Sequence, residues 1–258
     1  MKRIFLKFIN KLSTKKDTVF LGSKYGGWFF CDLESLKDSF VISAGVGTDV
    51  SFDIELMQKY NNKIIFIDPT PLAITHLNEV IHAIGNKKTQ DYSQDGNQPI
   101  SSYELEYLNK NNFFIEKSAL YKNSKDVVRF YKPKNSEHVS HSISNWQNNY
   151  SNSTPHIDVS TTDLSSVIKN YNIENLNILK LDIEGAEYSV LINMLREGIL
   201  PIQILVEFDE LQTKKFIKYL RYTYLILRLL RKYTLVDTDD YPNFLFIKKN
   251  YENFLNSK

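Results

Sequence analysis

Residues 41–53, VISAGVGTDVSFD, limit the possible folds more than any other stretch of the chain. An apolar run from Phe40 to Ile42 enters a turn of small residues: Ser43, Ala44, Gly45, Val46 and Gly47. A helical pattern follows, with Val50, Ile54 and Met57 at helical spacing. A strand that turns through glycines into a helix start brings backbone N–H groups close to a ligand. A second apolar strand, Ile64 to Ile67, ends in Asp68 and Pro69. An acid at the tip of the second strand, beside a glycine turn after the first, is how open α/β sheets hold a nucleoside ribose. The glycine turn alone fits an ordinary tight turn equally well; with Asp68 the pair points to a nucleoside-containing cofactor.

The residues around the turn narrow the choice of nucleoside. A dinucleotide fingerprint needs a third glycine where this chain has Val50, and Gly47 is followed by Thr48 and Asp49 rather than by a phosphate-binding lysine. Asp49 would repel a pyrophosphate but suits the cationic end of S-adenosyl-L-methionine. Helix starts also favour acids on electrostatic grounds alone. A nicotinamide oxidoreductase is disfavoured by Val50 and by the lack of a catalytic tyrosine-lysine pair.

Elsewhere, Val19 to Cys31 reads as a short hairpin around Gly26 and Gly27, and Pro71 to Ile84 as a helix. Gly85 to Ser102 is polar, a surface loop or insertion by its composition. Phe113–Ile115 and Val127–Tyr131 are strand-like, and Lys132 to His156 is again polar. IDVSTTDL from Ile157 is a strand leading to Thr162 or Asp163 as a helix cap. A buried strand, Ile178 to Leu181, carries the acidic turn DIEGAE and a helix from Tyr188 to Arg196. Ile202 to Val206 is a strand ending in Glu207, about Thr213 to Lys232 is a basic amphipathic helix, and Tyr233–Asp237 with Asn243–Lys248 closes the chain as an antiparallel pair. This alternation predicts an open twisted α/β sheet with helices on both faces and ligands at the carboxyl ends of its strands. Gly45, Asp68, Asp182 and Glu207 all fall on that edge.

At 258 residues, 42% hydrophobic and 13% aromatic, the chain can bury a full core. The reading is one domain over 19–250 with polar insertions near 85–112 and 132–156, preceded by an amphipathic helix over 1–18 and followed by a tail over 251–258. A net charge of +2 argues against a dedicated nucleic-acid partner. Cys31 is the only cysteine, so there is no intrachain disulfide and no cysteine-based metal site. The expectation is a cytoplasmic protein. Basic residues flank Ile4, Phe5, Phe8, Ile9 and Leu12; that helix packs on its own domain or makes a peripheral contact with the inner membrane face.

Asp182 and Glu184, in KLDIEGAEYSVL, lie where a buried strand emerges. A carboxylate there can take a proton from an acceptor, bind a metal or hold a cofactor amine; equally, Asp182 can cap the next helix with Glu184 solvated. No complete metal-ligand set is readable. His138 and His141, in SEHVSHSISNW, are candidate general bases because imidazole titrates near neutrality, although most loop histidines are merely solvated. Ser118, in EKSALY, falls near the expected adenine edge or is simply a buried small residue. Tyr25 and Trp28 beside the glycines line a pocket or pack. Neither a zinc spacing nor a GxSxG elbow is present.

Taken in order, VISAGVGTDVSFD, FIDPTP, STTDL and LKLDIEGAE resemble the FkbM family of S-adenosylmethionine-dependent methyltransferases. The resemblance runs from about Val19 to Ile247, and GGW at Gly26 and the late NFLFIK resemble its bacterial branch. It implies a Rossmann-like class I methyltransferase fold, a mostly parallel seven-stranded sheet whose last strand is antiparallel. It also implies S-adenosyl-L-methionine as cofactor and O-methylation of a sugar hydroxyl in a glycan or polysaccharide precursor. Carried over by position, Ser43, Ala44, Gly45 and Gly47 form the cofactor turn, and Asp68 with Pro69 meets the ribose. Ser118 and Ala119 flank the adenine, and Asp182 and Glu184 sit at the methyl-transfer edge. Many members have DxGANxG where this chain has SAGVGTD; Ser43 replaces the leading acid, and Asp49 is the expected source of the missing negative charge. A non-catalytic methyltransferase-like module that docks on membranes or a biosynthetic complex is the alternative.

Overall fold

The computed structural model describes residues 2–14, 17–131, 154–212, 215–237 and 241–251. Helix α1 (Lys2–Leu12) is followed by an antiparallel hairpin, β1 (Val19–Leu21) and β2 (Trp28–Phe30). Then come β3 (Phe40–Ala44), α2 (Ser51–Tyr60), β4 (Lys63–Ile67), α3 (Pro71–His82) and β5 (Phe113–Glu116). Three short strands, β6 (Ala119–Leu120), β7 (Val127–Tyr131) and β8 (His156–Thr162), precede α4 (Leu164–Asn170). The second half runs β9 (Leu176–Leu181), α5 (Glu187–Glu197), β10 (Gln203–Glu207), α6 (Phe216–Leu229), β11 (Tyr233–Asp237) and β12 (Asn243–Lys248).

Local chemistry sets these boundaries. Pro71 opens α3, where its missing N–H costs nothing. The Asp163 carboxylate accepts from the Ser166 N–H at 2.8 Å and caps α4, the second of the two caps the sequence offered. Asn61 ends α2 in the left-handed conformation, with its N–H on the Met57 carbonyl.

Seven strands form one sheet in the order β11-β12-β10-β9-β3-β4-β5. The pairs from β10 through β5 are parallel, and β12 is antiparallel to both its neighbours. Successive residues of the inner strands alternate between two cores. Ile42, Ile65, Leu179 and Ile204 pack with α1, α4, α5 and α6, whereas Val41, Ile64, Ile178 and Leu205 pack with α2, α3 and the β1–β2 hairpin. Both faces are therefore covered, as near-continuous apolar strands require.

Two differences from the sequence reading matter. Strands β6, β7 and β8 form a separate three-stranded sheet, β8 parallel to β6 and antiparallel to β7, outside the main sheet. The polar stretch before β5 is anchored: Tyr103 and Leu105 are buried, and the Tyr103 hydroxyl bonds His76 Nε2 at 2.9 Å and the Val50 N–H at 3.2 Å. Helix α1 packs on the domain, with Phe5 and Ile9 buried and the Phe5 ring 5.3 Å from that of Tyr219. Among the described residues no helix is long and apolar enough to cross a membrane.

Candidate active site

The four central strands end in step. Ala44 is in register with Ile67 on one side and Leu181 on the other, and Leu181 is in register with Val206. The next residues along the chain, Gly45, Asp68, Asp182 and Glu207, therefore line one edge. The connection from β3 leads to β4 on one side and that from its neighbour β9 leads to β10 on the other, and such a switch point opens a crevice at the strand ends.

Gly45 sits at φ +74°, and a Cβ on it would lie 2.6 Å from the carbonyl carbon of Asp182 and closer still to its oxygen. The two strand ends touch backbone to backbone, with the Ile183 side chain also against this position. Gly47, at φ +54°, has nothing among the described residues within 4 Å of the corresponding position, so that side of the bend is open to them. Asp68 is aimed at the bend. Its Oδ2 accepts from the Val46 N–H at 3.0 Å and the Gly47 N–H at 3.2 Å, and its Oδ1 from the Thr70 N–H at 2.8 Å and hydroxyl at 2.6 Å. Pro69 is half-buried beside it.

The charge next to Ser43 comes from a different acid than expected. The Ser43 hydroxyl accepts from Lys180 Nζ at 3.3 Å, and the same ammonium lies 3.7 Å from the Asp53 carboxylate. Lys180 is 3% exposed and Asp53 fully buried. Burial raises the Asp53 pKa, and the Lys180 charge pulls it back. Asp49, expected to stand in for the missing acid, accepts instead from the Ser23 hydroxyl (2.6 Å), the Gln98 amide (2.9 Å) and the Ser51 N–H (3.0 Å). It ties the hairpin and the 85–112 segment to the start of α2. A lysine inside the apolar run NILKL was the sequence signal for this pair.

Asp182 is half-buried, and Glu184 stands next to it in a left-handed turn position at φ +51°. Burial raises the Asp182 pKa; the Lys180 charge opposes this and Asp68 adds to it. Glu187 is fully buried, and its Oε1 accepts from the Gly185 N–H at 2.9 Å and the Ile183 N–H at 3.3 Å, closing the turn that carries Asp182. Tyr25 reaches this rim from the hairpin, its ring against Gly96. Partial burial and then the negative charges of Asp182, Glu207, Glu184 and Asp49 raise its pKa. The sequence had not singled out Asp209, which is buried just past β10; burial and then Glu184, Glu187, Asp182 and Glu207 push its pKa well up.

Ser118 and Ala119 are buried beyond β5. The Ser118 hydroxyl donates to Glu116 Oε1 at 2.9 Å, and Ala119 pairs with Thr161 in the small sheet. His138 and His141 lie outside the described residues.

Glu187 gives this edge a pH dependence. Burial first, and then the Glu184 and Asp182 charges, push its carboxyl from 4.5 to about 8, against the Gly185 and Glu187 backbone N–H groups, which favour the ionised form. The folded chain thus holds this proton more tightly than the unfolded chain, so this contribution to stability is lost as pH rises from 4.5 through about 8. Glu187→Gln keeps an acceptor for Gly185 and removes the titration. Urea unfolding at pH 5 and pH 8 is expected to show wild type losing on the order of a few kcal/mol more than the variant. Equal losses would mean that Glu187 is ionised in the fold throughout.

An open α/β sheet with a glycine bend, an aimed carboxylate and an acidic rim at its switch point is the arrangement in which such sheets place a ligand crevice. The methyltransferase FkbM domain model matches residues 33–234, and the chain belongs to that family, which makes it a methyltransferase by family and implies a methyl donor of the S-adenosylmethionine type. Comparison with curated proteins and with solved structures found no match.

Proposed function

We propose that the protein is an S-adenosyl-L-methionine-dependent O-methyltransferase that acts in the cytoplasm on a hydroxyl of a sugar or of a surface-glycan or polysaccharide precursor. The observation that carries this reading is the Asp68 carboxylate aimed at a glycine bend whose Gly47 side is open. The strand order, with the last strand antiparallel, is read as the Rossmann-like class I methyltransferase sheet. The donor supplies a methyl group carried on a cationic sulfur.

In this reading Ser43, Ala44, Gly45 and Gly47 shape the bend under the donor, Asp68 with Pro69 takes its ribose, and Ser118 and Ala119 border its adenine. All four lone-pair positions of Asp68 are engaged here, so a ribose competes with the Thr70 and Gly47 bonds for them. Asp182 stands at the acceptor edge as a carboxylate candidate for the acceptor proton. Glu184 stands beside it, and His138 and His141 are the imidazole candidates for the same proton. Alignment of donor and acceptor supplies most of the rate. The test is transfer of labelled methyl from S-adenosyl-L-methionine to a glycan extract of the source cell; label in a sugar O-methyl ether supports the reading, and label confined to protein or nucleic acid refutes the acceptor class.

A second reading concerns where the enzyme works. Ile4 and Phe8 on α1, and Phe216, Ile217, Leu220 and Leu227 on the adjacent α6, stay exposed, Ile217 at 65%. Residues 2–12 and 215–232 carry lysines and arginines and no acid. An apolar stripe flanked by cations suits peripheral contact with an anionic bilayer. Co-sedimentation with phosphatidylglycerol vesicles is expected for wild type and is lost in Ile217→Ser/Leu220→Ser; equal pelleting of both would remove the membrane role without touching the methyltransferase reading.

A further inference from the structure

Three carboxylates converge at the acceptor side of the edge. Asp182 follows β9, Glu207 ends β10 and Asp209 lies in the turn beyond it, and an oxygen of each comes within 4.8 Å of one from each of the other two. Asp209 is 4% exposed, and its Oδ2, shut off from solvent, has no hydrogen-bond partner among the described residues. A buried carboxylate left so is costly unless a proton or a cation shares the space. Neighbouring charges worsen the imbalance, since Glu184 and Glu187 add to it. Lys180 acts on Asp182, yet its ammonium is held between Ser43 and Asp53. Glu207 Oε1 accepts from the Gln212 amide at 3.4 Å.

We propose that Asp182, Glu207 and Asp209 bind a divalent cation, with the buried Asp209 oxygen as its anchor. All-oxygen, all-carboxylate ligands select hard ions such as Mg²⁺, Mn²⁺ or Ca²⁺ over Zn²⁺, which favours nitrogen and sulfur. Three protein ligands leave positions for water and for one oxygen of the acceptor. Resting on the methyltransferase reading, this makes the cation the element that positions and polarises the acceptor hydroxyl. It also gives Asp209, which is too deep to meet a glycan directly, a reason to be ionised.

The experiment is titration of the full chain with Mn²⁺ alone, followed by loss of the free-ion electron paramagnetic resonance signal. Wild type, Asp209→Asn and the half-exposed Glu207→Gln are compared, each also titrated with S-adenosylhomocysteine by calorimetry. One Mn²⁺ per wild-type chain is expected, with affinity falling about ten-fold or more in each variant. A wild-type chain that leaves Mn²⁺ free at ~1 mM overturns the site, as do variants that bind like wild type. Cofactor binding without Mn²⁺ binding sinks this inference alone; Mn²⁺ binding without cofactor binding sinks the methyltransferase reading alone.

Discussion

Replacing Gly45 by alanine is expected to destroy the fold or cost well over 4 kcal/mol, placing it among the most damaging single substitutions. The left-handed conformation alone costs an alanine about 1–2 kcal/mol. The larger cost is steric. The new methyl group would overlap the backbone carbonyl of Asp182, and neither strand end can yield. The Gly45 N–H is bonded to the Ile67 carbonyl at 3.0 Å, and the Asp182 N–H to the Ala44 carbonyl at 3.0 Å. Relief would require opening the sheet between β3 and β9. Gly47→Ala is the control: it meets the same kind of backbone strain with open space around the methyl, so it should fold and lose about 1–2 kcal/mol. Chemical denaturation of both variants checks this, and similar small losses would show that β3 and β9 do not approach through bare backbone.

Lys180→Met is expected to cost about 3–5 kcal/mol, because it strands the Asp53 carboxylate without a counter-charge in the interior. For a chain of this length that corresponds to a fall in Tm of roughly 6–20 °C. The sign of the pH dependence follows from Asp53. Its folded pKa is already raised by burial, and removing Lys180 raises it further. The variant's deficit should therefore be largest near neutral pH and shrink as acid protonates Asp53. Adding Asp53→Asn should recover much of the loss, since an uncharged amide replaces the orphaned carboxylate. No recovery in the double variant would mean that the lysine stem's packing, rather than its charge, is what the site needs.

The framework of the site was readable because it depends on local pattern. Small residues after an apolar run, an acid ending the next run and DIEGAE after a third each mark a strand end, and parallel strands that end in step place Gly45, Asp68, Asp182 and Glu207 together. Features that depend on pairing across the chain were not readable. Val127–Tyr131 alternates like any half-buried strand, and nothing local shows that its partner is His156–Thr162 rather than the main sheet. Tyr103 and Leu105 look isolated among polar residues, yet they carry the burial that fixes the 85–112 segment. Asp49 and Asp53 are both acids near a helix start. Only the fold shows that Asp53 faces Lys180 while Asp49 faces the hairpin. Asp209 carries no motif of its own, and its meaning comes from what the ends of β9 and β10 bring to it.

The central claim is tested most directly by calorimetric titration of the folded chain with S-adenosylhomocysteine, in wild type and in Asp68→Ala. Losing two charge-assisted bonds to a ribose, at about 1.5–3 kcal/mol each, should weaken binding at least about 100-fold. One-to-one binding by wild type with that loss in the variant is the predicted result. A folded wild-type chain that takes up no S-adenosylhomocysteine, or an Asp68→Ala chain that binds it equally well, would contradict the account.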